Sequence, residues 1–257
     1  MLESVDVLGL SIKTFGVFFA LSFLAWGALT SRRLRELGKP AEWATEMVFV
    51  AIAGGLVGAR LYYLVQNSAS LHGSLLANIF GGSGLVWYGG LLGGALAITV
   101  WARWRGFLGL ALLDMAGYGL ALGYAVGRIG CQVSGDGDYG KASGLPWAMG
   151  YPHGAVPTAP GVTVQPTPIY ETLSMGLVAF GLWRLRDRLR PGLVFALYLV
   201  LAGLERFLVE FARRNEVVGG GLTAPQFESL GLLVAGLIWI GVVVSRTGSL
   251  RAEGVPA

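Results

Sequence analysis

The sequence has few of the residues that build a soluble surface. Charged residues make up only 13% of the 257 positions, against about 25% in a typical soluble domain, and hydrophobic residues make up 54%. The mean hydropathy is +0.63. A chain with so little charge cannot cover a water-facing surface with polar groups, so the composition predicts a polytopic membrane protein.

Cysteine and histidine are also scarce. The single cysteine, Cys131, excludes a disulfide within the chain. The two histidines, His72 and His153, lie too far apart in the sequence to argue for a metal site, and we expect no metal and no cofactor. The net charge of +4 would suit a nucleic-acid partner, but the basic residues stand in short clusters between apolar runs. We therefore expect no nucleic-acid partner.

Seven apolar runs are long enough to suggest membrane spans. They cover about 12–29, 45–65, 85–102, 108–126, 169–183, 192–211 and 227–244. The first ten residues lack the basic region of a cleavable signal peptide, so we expect the first run to be retained. Basic clusters follow the first, third, fifth and seventh runs, which places the N-terminus outside and the C-terminus in the cytoplasm. The predicted fold is an all-α bundle of seven transmembrane helices in a single membrane domain over 1–257.

Two connecting segments differ from the spans. Residues 66–84 contain no lysine or arginine, which predicts an outside segment, with a short interfacial helix over 71–80. Residues 131–168 are rich in proline, glycine and threonine, which predicts an outer-face loop folded over a site. Within the second and third spans, glycines recur four residues apart, at Gly54 and Gly58 and at Gly89 and Gly93. This spacing predicts close helix packing.

The most polar stretch follows the fourth span. Residues 127–140 read Gly-Arg-Ile-Gly-Cys-Gln-Val-Ser-Gly-Asp-Gly-Asp-Tyr-Gly. Ionisable groups at the end of an apolar helix are costly unless they pair or meet a polar ligand. Glycines allow close backbone approach, and exposed backbone N–H groups can cradle an anion. The stretch predicts the polar floor of a membrane-embedded active site, with Arg128 in a glycine-rich turn and ion-paired with Asp136 or Asp138.

Further arginines stand at predicted outer span ends. Arg206, Glu210 and Arg213 are spaced four and seven residues apart, which puts them on one face of a continuous helix. Guanidinium groups stay charged in a low dielectric, and their fork matches phosphate oxygens. With Arg60 and Arg128 at other span ends, the pattern predicts a phospholipid headgroup site.

Four residues have simpler interpretations. We expect Arg213 and Arg214 to act as anchors that reach the lipid phosphates. Cys131 is expected to be a small buried apolar residue rather than a nucleophile. Asp136 resembles half of a metal-binding pair, but the remaining ligands are missing from the sequence.

Six fragments in order resemble one enzyme family. They are residues 58–63 (Gly-Ala-Arg-Leu-Tyr-Tyr), 88–93 (Tyr-Gly-Gly-Leu-Leu-Gly), the motif from 127, 165–171 (Gln-Pro-Thr-Pro-Ile-Tyr-Glu), 205–213 (Glu-Arg-Phe-Leu-Val-Glu-Phe-Ala-Arg), and Gln226. Together they resemble the prolipoprotein diacylglyceryl transferase family over nearly the whole chain.

The resemblance implies an activity and a set of site residues. The diacylglyceryl group of phosphatidylglycerol would pass to the lipobox cysteine thiol of a prolipoprotein signal peptide, and glycerol phosphate would be released. The enzyme would lie in the bacterial inner membrane, in contact with the lipid bilayer, with its site toward the outer side. The implied catalytic residues are Arg128, Arg206, Tyr88 and Asp136. The implied phosphatidylglycerol-binding residues are Arg60, Arg128, Ser134, Gly135, Gly140, Tyr170, Glu171, Arg206 and Glu210.

The sequence departs from the family pattern at three of these positions and at Cys131. Cys131 and Ser134 replace two asparagines, Asp136 replaces a glutamate, and Tyr88 replaces a histidine. The proton acceptor for the thiol therefore stays open among Asp136, Tyr88, Glu171, His153 and a phosphate oxygen.

Two other functions stay open at this point. One is a divergent paralogue that uses another acceptor or has lost activity, which the family departures motivate. The other is a protein that binds or transports an anionic lipid or solute. A transporter needs a polar path to the cytoplasmic side, where Asp114 is the main polar residue.

Overall fold

The computed structural model describes residues 2–7, 10–68 and 86–252. Within them the chain forms seven helices: α1 (Thr14–Glu36), α2 (Trp43–Gln66), α3 (Trp87–Trp104), α4 (Leu110–Ser134), α5 (Thr167–Leu185), α6 (Leu193–Val209) and α7 (Ala224–Thr247). Each coincides with one predicted span, so the helical fold is confirmed. The predicted interfacial helix over 71–80 and His72 lie outside the described residues.

Four of these helices are long and apolar enough to cross a membrane by length and composition. They are α1, α2, α4 and α7. Membrane crossing by α3, α5 and α6 stays a prediction, as does the orientation of the two termini. The described residues also form two short antiparallel strand pairs that the sequence patterns did not predict. They pair β1 (Ser4–Val7) with β2 (Leu10–Lys13), and β3 (Val217–Gly219) with β4 (Leu222–Thr223).

Helix α4 runs farther than predicted. It continues to Ser134, so the loop expected to begin at residue 131 begins at 135, and Arg128 lies on a helix rather than in a glycine-rich turn. The glycines here serve packing against α1. A Cβ on Gly130 would lie 2.8 Å from the Cβ of Phe18. Small residues are therefore needed on this helix face, and their helix-weakening effect is offset by the close contact.

The chain divides into two compact units. The small unit covers Gly27–Gly109, and the large unit covers Met1–Trp26 with Leu110–Ala257. The single membrane domain stays a prediction.

The small unit is built on the packing of α2 against α3. A Cβ on Gly58 would lie 2.3 Å from the carbonyl oxygen of Gly89 and 2.7 Å from the Cα of Gly93. The two backbones therefore touch, which confirms the predicted glycine-mediated packing. At one end of this pair, Glu46 accepts hydrogen bonds from the Arg105 guanidinium (2.6 Å) and from Nε1 of Trp101 (2.8 Å). This ion pair links α2 to the end of α3.

The large unit packs α4 against α5 and α6, and α6 against α7. Small side chains fill the α4–α5 contact, at Ala121, Ala125 and Ala179 with Met175. Late α4 and late α6 meet early α5 at one end of the unit, and the charged cluster described below lies there.

The opposite end of α4 has a different role. Both carboxylate oxygens of Asp114 accept backbone N–H groups at the start of α6, from Gly192 (2.7 Å) and Phe195 (3.0 Å). Asp114 therefore caps α6, because the first N–H groups of a helix have no partner within it. This contact accounts for the one acidic residue of α4.

Candidate functional site

Six charged side chains meet at one end of the large unit. We call them the arginine cluster. They are Arg128 from α4, Arg206 from α6, Glu171 from α5, and Asp138, Glu210 and Arg213 from the segments that follow α4 and α6. Three guanidinium groups face three carboxylates, so the cluster balances its formal charge.

Glu171 is the centre of the cluster. Its side chain is 0% exposed, with Nε of Arg128 lying 3.1 Å from Oε2 and Nη1 of Arg206 lying 3.1 Å from Oε1. The Tyr124 hydroxyl donates to Oε1 at 2.8 Å, and Nη1 of Arg213 lies 3.4 Å from the same oxygen. A buried carboxylate needs such compensation, because an unpaired buried charge costs several kcal/mol (about 3–5). Glu171 lies where it can orient the arginines, and its predicted role in substrate binding stays a prediction.

Asp138 bridges two of the arginines. Its carboxylate accepts from Nη1 of Arg128 and, at 2.6 Å, from Nη2 of Arg213. Burial alone would raise the pKa of Asp138, but the two guanidinium groups hold this pKa below its ordinary value. Of the two aspartates considered as partners for Arg128, Asp138 is therefore the one that pairs.

Asp136 has a different environment. Its carboxylate accepts the backbone N–H of Asp138 at 3.2 Å. In the described part of the chain, no lysine or arginine nitrogen lies within 4.0 Å of it. Asp136 is thus a carboxylate beside the cluster that is not committed to an ion pair.

Arg213 belongs to the cluster, so its prediction as an anchor is wrong. Helix α6 ends at Val209, and Arg213 reaches Asp138 and Glu171 from the turn beyond it, with only 9% of the residue exposed. Burial disfavours its charge, but Asp138 and Glu171 raise the pKa of Arg213 above its ordinary value. The predicted grouping of Arg206, Glu210 and Arg213 is present, but a turn after α6 brings Arg213 to it rather than a continuous helix.

Glu210 connects the cluster to the start of α7. Its Oε2 lies 2.7 Å from Nη2 of Arg206, and its Oε1 accepts from Asn215 (2.6 Å) and from the Thr223 hydroxyl (2.9 Å). Thr223 in turn forms a capping box with Gln226, the residue that begins the last family fragment. The family residues Glu210 and Gln226 therefore position Arg206 from the α7 side.

Of the three arginines in the cluster, Arg206 is the most accessible to a further ligand. Its side chain is 23% exposed, against 14% for Arg128 and 10% for Arg213. The described contacts use Nη1 and Nη2, and a guanidinium group has five N–H donors. Arg128 and Arg206 lie on opposite oxygens of one buried carboxylate, and this arrangement can hold an anion between two forked cations.

Three other predicted site residues contribute to the backbone conformation and packing around the cluster. Gly135 has a φ of +62°, and a Cβ there would lie 2.7 Å from the Cα of Gly154. A Cβ on Gly140 would lie 2.3 Å from the carbonyl oxygen of Ala212, so only glycine permits this approach. Ser134 is buried and donates to the carbonyl of Cys131 within its own helix, at 3.4 Å. These residues hold the loop that carries Asp138.

The remaining predicted residues lie at the edge of the site or in the other unit. Tyr170 accepts a hydrogen bond from Nε1 of Trp147 at 2.6 Å, which ties the start of α5 to the covering loop. His153 is exposed in that loop. Arg60 and Tyr88 belong to the small unit, where the Arg60 guanidinium lies over the Tyr63 ring at 5.3 Å. Their predicted roles stay predictions.

Cys131 is buried next to the cluster. Its Sγ lies 3.6 Å from Nη1 of Arg128 and 3.7 Å from Asp138. Together with Asp136 and Asp138 it forms a group whose ligand atoms all lie within 4.8 Å of one another. Two guanidinium groups already occupy the Asp138 carboxylate, and their charge opposes a metal cation at the same oxygen atoms. The geometry favours an ion-pair site over a metal centre.

Comparison with known proteins assigns the chain to a family. The family model described as prolipoprotein diacylglyceryl transferase matches residues 4–242. The chain belongs to the prolipoprotein diacylglyceryl transferase family. All six members of the arginine cluster, and the small-unit residues Arg60 and Tyr88, fall within the matched range.

Named members of this family resemble the chain over most of its length. A phosphatidylglycerol–prolipoprotein diacylglyceryl transferase of Leptospira interrogans is 33% identical over 245 residues, covering 85% of this chain and 76% of the relative. The Clostridium tetani enzyme of the same name is 32% identical, covering 90% and 93%. The Gloeobacter violaceus one is 30% identical, covering 96% and 94%. Family membership and four membrane-length apolar helices identify a bacterial inner-membrane protein.

Proposed function

We propose that this family member transfers the diacylglyceryl group of phosphatidylglycerol to the lipobox cysteine thiol of prolipoproteins and releases glycerol phosphate. The names of the relatives support the lipid and the protein acceptor. The observation that carries the proposal is the pair Arg128 and Arg206, held on opposite oxygens of the buried Glu171 carboxylate.

The arginine pair suits the bond that breaks. The thiolate sulfur attacks the glycerol carbon that carries the phosphate, the C–S bond forms, and the C–O bond breaks. The phosphate leaves with the bonding electrons and gains negative charge. Preorganised cations that face this charge lower the barrier, since the protein has no need to reorganise as charge develops. Glu171 and Glu210 hold these guanidinium groups in fixed positions through ion pairs.

The thiol must lose its proton for this attack, because the thiolate is the nucleophile. Asp136 is suited to accept it, since it lies beside the cluster and carries no ion pair among the described residues. Tyr88, at the family's histidine position, is the second proposed proton acceptor.

The membrane arrangement is part of the proposal. We place all seven helices across the bilayer, with the N-terminus outside, the C-terminus in the cytoplasm, and the arginine cluster near the outer leaflet. The basic residues after α1, α3, α5 and α7 support this orientation. The lipid would enter sideways from the bilayer, and the signal peptide would present its cysteine at the same depth.

A transfer assay tests the proposal. Purified protein is mixed with labelled phosphatidylglycerol and a synthetic lipobox peptide, and a matched peptide with Cys→Ser serves as the control. We expect label on the cysteine peptide only, with release of glycerol phosphate. Binding of the lipid without transfer would contradict the proposed reaction and would favour a paralogue with another acceptor, which the replacements Cys131 and Ser134 motivate. Transport has less support, because Asp114 caps α6 rather than lining a polar path.

A further inference from the structure

A small polar cavity lies beside the arginine cluster. It measures about 360 Å³ and is lined by Gly137, Asp138, Tyr139, Arg213, Arg214 and Asn215. It shares Asp138 and Arg213 with the cluster, so the two sites are continuous. Its size is at the lower end of the roughly 300–1,000 Å³ range of small-molecule sites, and its polar walls do not suit an acyl chain.

The cavity wall holds one cation in a fixed position. Nη2 of Arg214 donates to the carbonyl of Gly137 at 2.7 Å, and its guanidinium carbon lies 4.3 Å from the centre of the Tyr139 ring. These contacts immobilise the head of an otherwise exposed arginine and leave its Nε and Nη1 donors without an acceptor among the described residues. A held guanidinium loses less freedom when it binds an oxyanion.

The other walls supply acceptors for hydroxyl groups. The Asn215 side chain uses its NH₂ group on Glu210, at 2.6 Å, so its amide oxygen stays available. Asp138 contributes a carboxylate whose side chain is 37% exposed. One free cation combined with carboxylate and amide oxygens suits a small anion that also carries hydroxyl groups.

We propose that this cavity binds the glycerol phosphate released by the reaction, before it leaves for water. The inference rests on the proposed function, in which cleavage leaves one product in the lipid and converts the phosphodiester into a water-soluble phosphomonoester. The monoester carries more negative charge than the lipid did, so it binds arginine more strongly. Arg213 borders both sites, and Arg214 receives the phosphate on the exposed side.

Product inhibition tests the site. Glycerol phosphate is added to the transfer assay, and its inhibition constant is compared in the wild-type protein, Arg214→Gln, and the control Arg246→Gln, which removes an exposed arginine at the end of α7. We expect Arg214→Gln to weaken inhibition about tenfold, the effect of losing one charge-assisted hydrogen bond, and the control to match the wild type. Equal inhibition of all three proteins would overturn the proposal.

A second variant tests recognition of the glycerol part. Asn215→Leu removes the amide oxygen, and we expect it to weaken inhibition by glycerol phosphate but not by inorganic phosphate. If both inhibitors weaken equally or neither changes, the cavity does not recognise hydroxyl groups and the proposal fails.

Direct calorimetric binding of glycerol phosphate separates this inference from the proposed function. Binding that depends on Arg214, in a protein without transfer activity, would support the cavity and contradict the reaction. Active protein that binds no glycerol phosphate would overturn the cavity assignment and leave the reaction standing.

Discussion

The apolar helices of the two units pack through different kinds of contact. In the small unit, α2 and α3 touch through glycines, with Gly58 against Gly89 and Gly93, and one ion pair joins Glu46 to Arg105. In the large unit, the ends of α4, α5 and α6 meet around a fully buried carboxylate that binds three arginines. Glycine contacts stabilise a helix pair without any desolvation of charge. Buried ion pairs desolvate charge at considerable cost, so their presence in the large unit indicates chemistry rather than packing.

Removing the central carboxylate gives the largest expected effect. In Glu171→Gln the side chain keeps its shape, but three guanidinium groups lose their common counter-charge. We expect a loss of about 3–5 kcal/mol in stability and near-complete loss of transfer activity. Thermal unfolding in detergent, run beside the activity assay, measures both. A melting temperature equal to that of the wild type would show that Glu171 does not organise the cluster.

Removing the proton acceptor should affect rate without affecting stability. If Asp136 accepts the thiol proton, Asp136→Asn lowers the transfer rate about 10²-fold or more, and the loss becomes smaller as the pH rises toward the pKa of the substrate thiol, where the thiolate forms without a base. Tyr88→Phe is the parallel test for the other proposed acceptor. A variant with wild-type turnover across the pH range removes its residue from this role. If neither variant changes the rate, Glu171, His153 and a phosphate oxygen remain as the possible proton acceptors.

The glycine contact of the small unit gives an intermediate effect. In Gly58→Ala the new Cβ would lie 2.3 Å from a backbone oxygen, so α2 and α3 must separate. We expect a loss of about 1–3 kcal/mol in stability. Gly55→Ala on the same helix is the matched control, because its Cβ would meet its nearest neighbour at 3.5 Å, an ordinary contact. Equal unfolding temperatures for the two variants would contradict glycine-mediated packing.

The smallest expected effect concerns pH. The pKa of Asp138 is lowered from 3.8 by Arg128 and Arg213. The ion pairs of Asp138 therefore stabilise the protein when the pH is above this ordinary pKa. The stabilisation is lost as the pH falls through the lowered pKa. We expect the wild-type melting temperature to fall in acid more steeply than that of Asp138→Asn. Parallel curves for the two proteins would show that Asp138 does not stabilise the cluster.

Sequence patterns were sufficient for the helices and for part of the site. Apolar runs predicted all seven helices, and glycine spacing predicted the α2–α3 contact. The family fragments predicted Arg128, Arg206, Glu171 and Glu210, all of which meet in the structure. These features depend on composition and on local spacing, which a sequence displays directly.

The missed features depend on contacts between distant segments. The interpretation of Arg213 as an anchor placed it one turn beyond Arg206 on a continuous helix, whereas α6 ends at Val209 and the following turn brings Arg213 into the cluster. The choice of Asp138 over Asp136 as ion-pair partner is set by where the loop lies after Ser134. Tyr124 has a local signal, since it lies one helical turn before Arg128, but its bond to Glu171 spans two helices. Tertiary packing determines all three.

The most direct test of the account replaces Arg206, the most exposed arginine of the cluster. Transfer from labelled phosphatidylglycerol is measured with purified wild-type protein, Arg206→Gln, and Arg206→Lys, which keeps the charge but loses the fork. The account predicts that Arg206→Gln loses about 10²–10³-fold in rate and that Arg206→Lys recovers only part of it, while both variants still unfold cooperatively. A folded Arg206→Gln protein with the wild-type rate would contradict the claim that the arginine cluster stabilises the leaving phosphate.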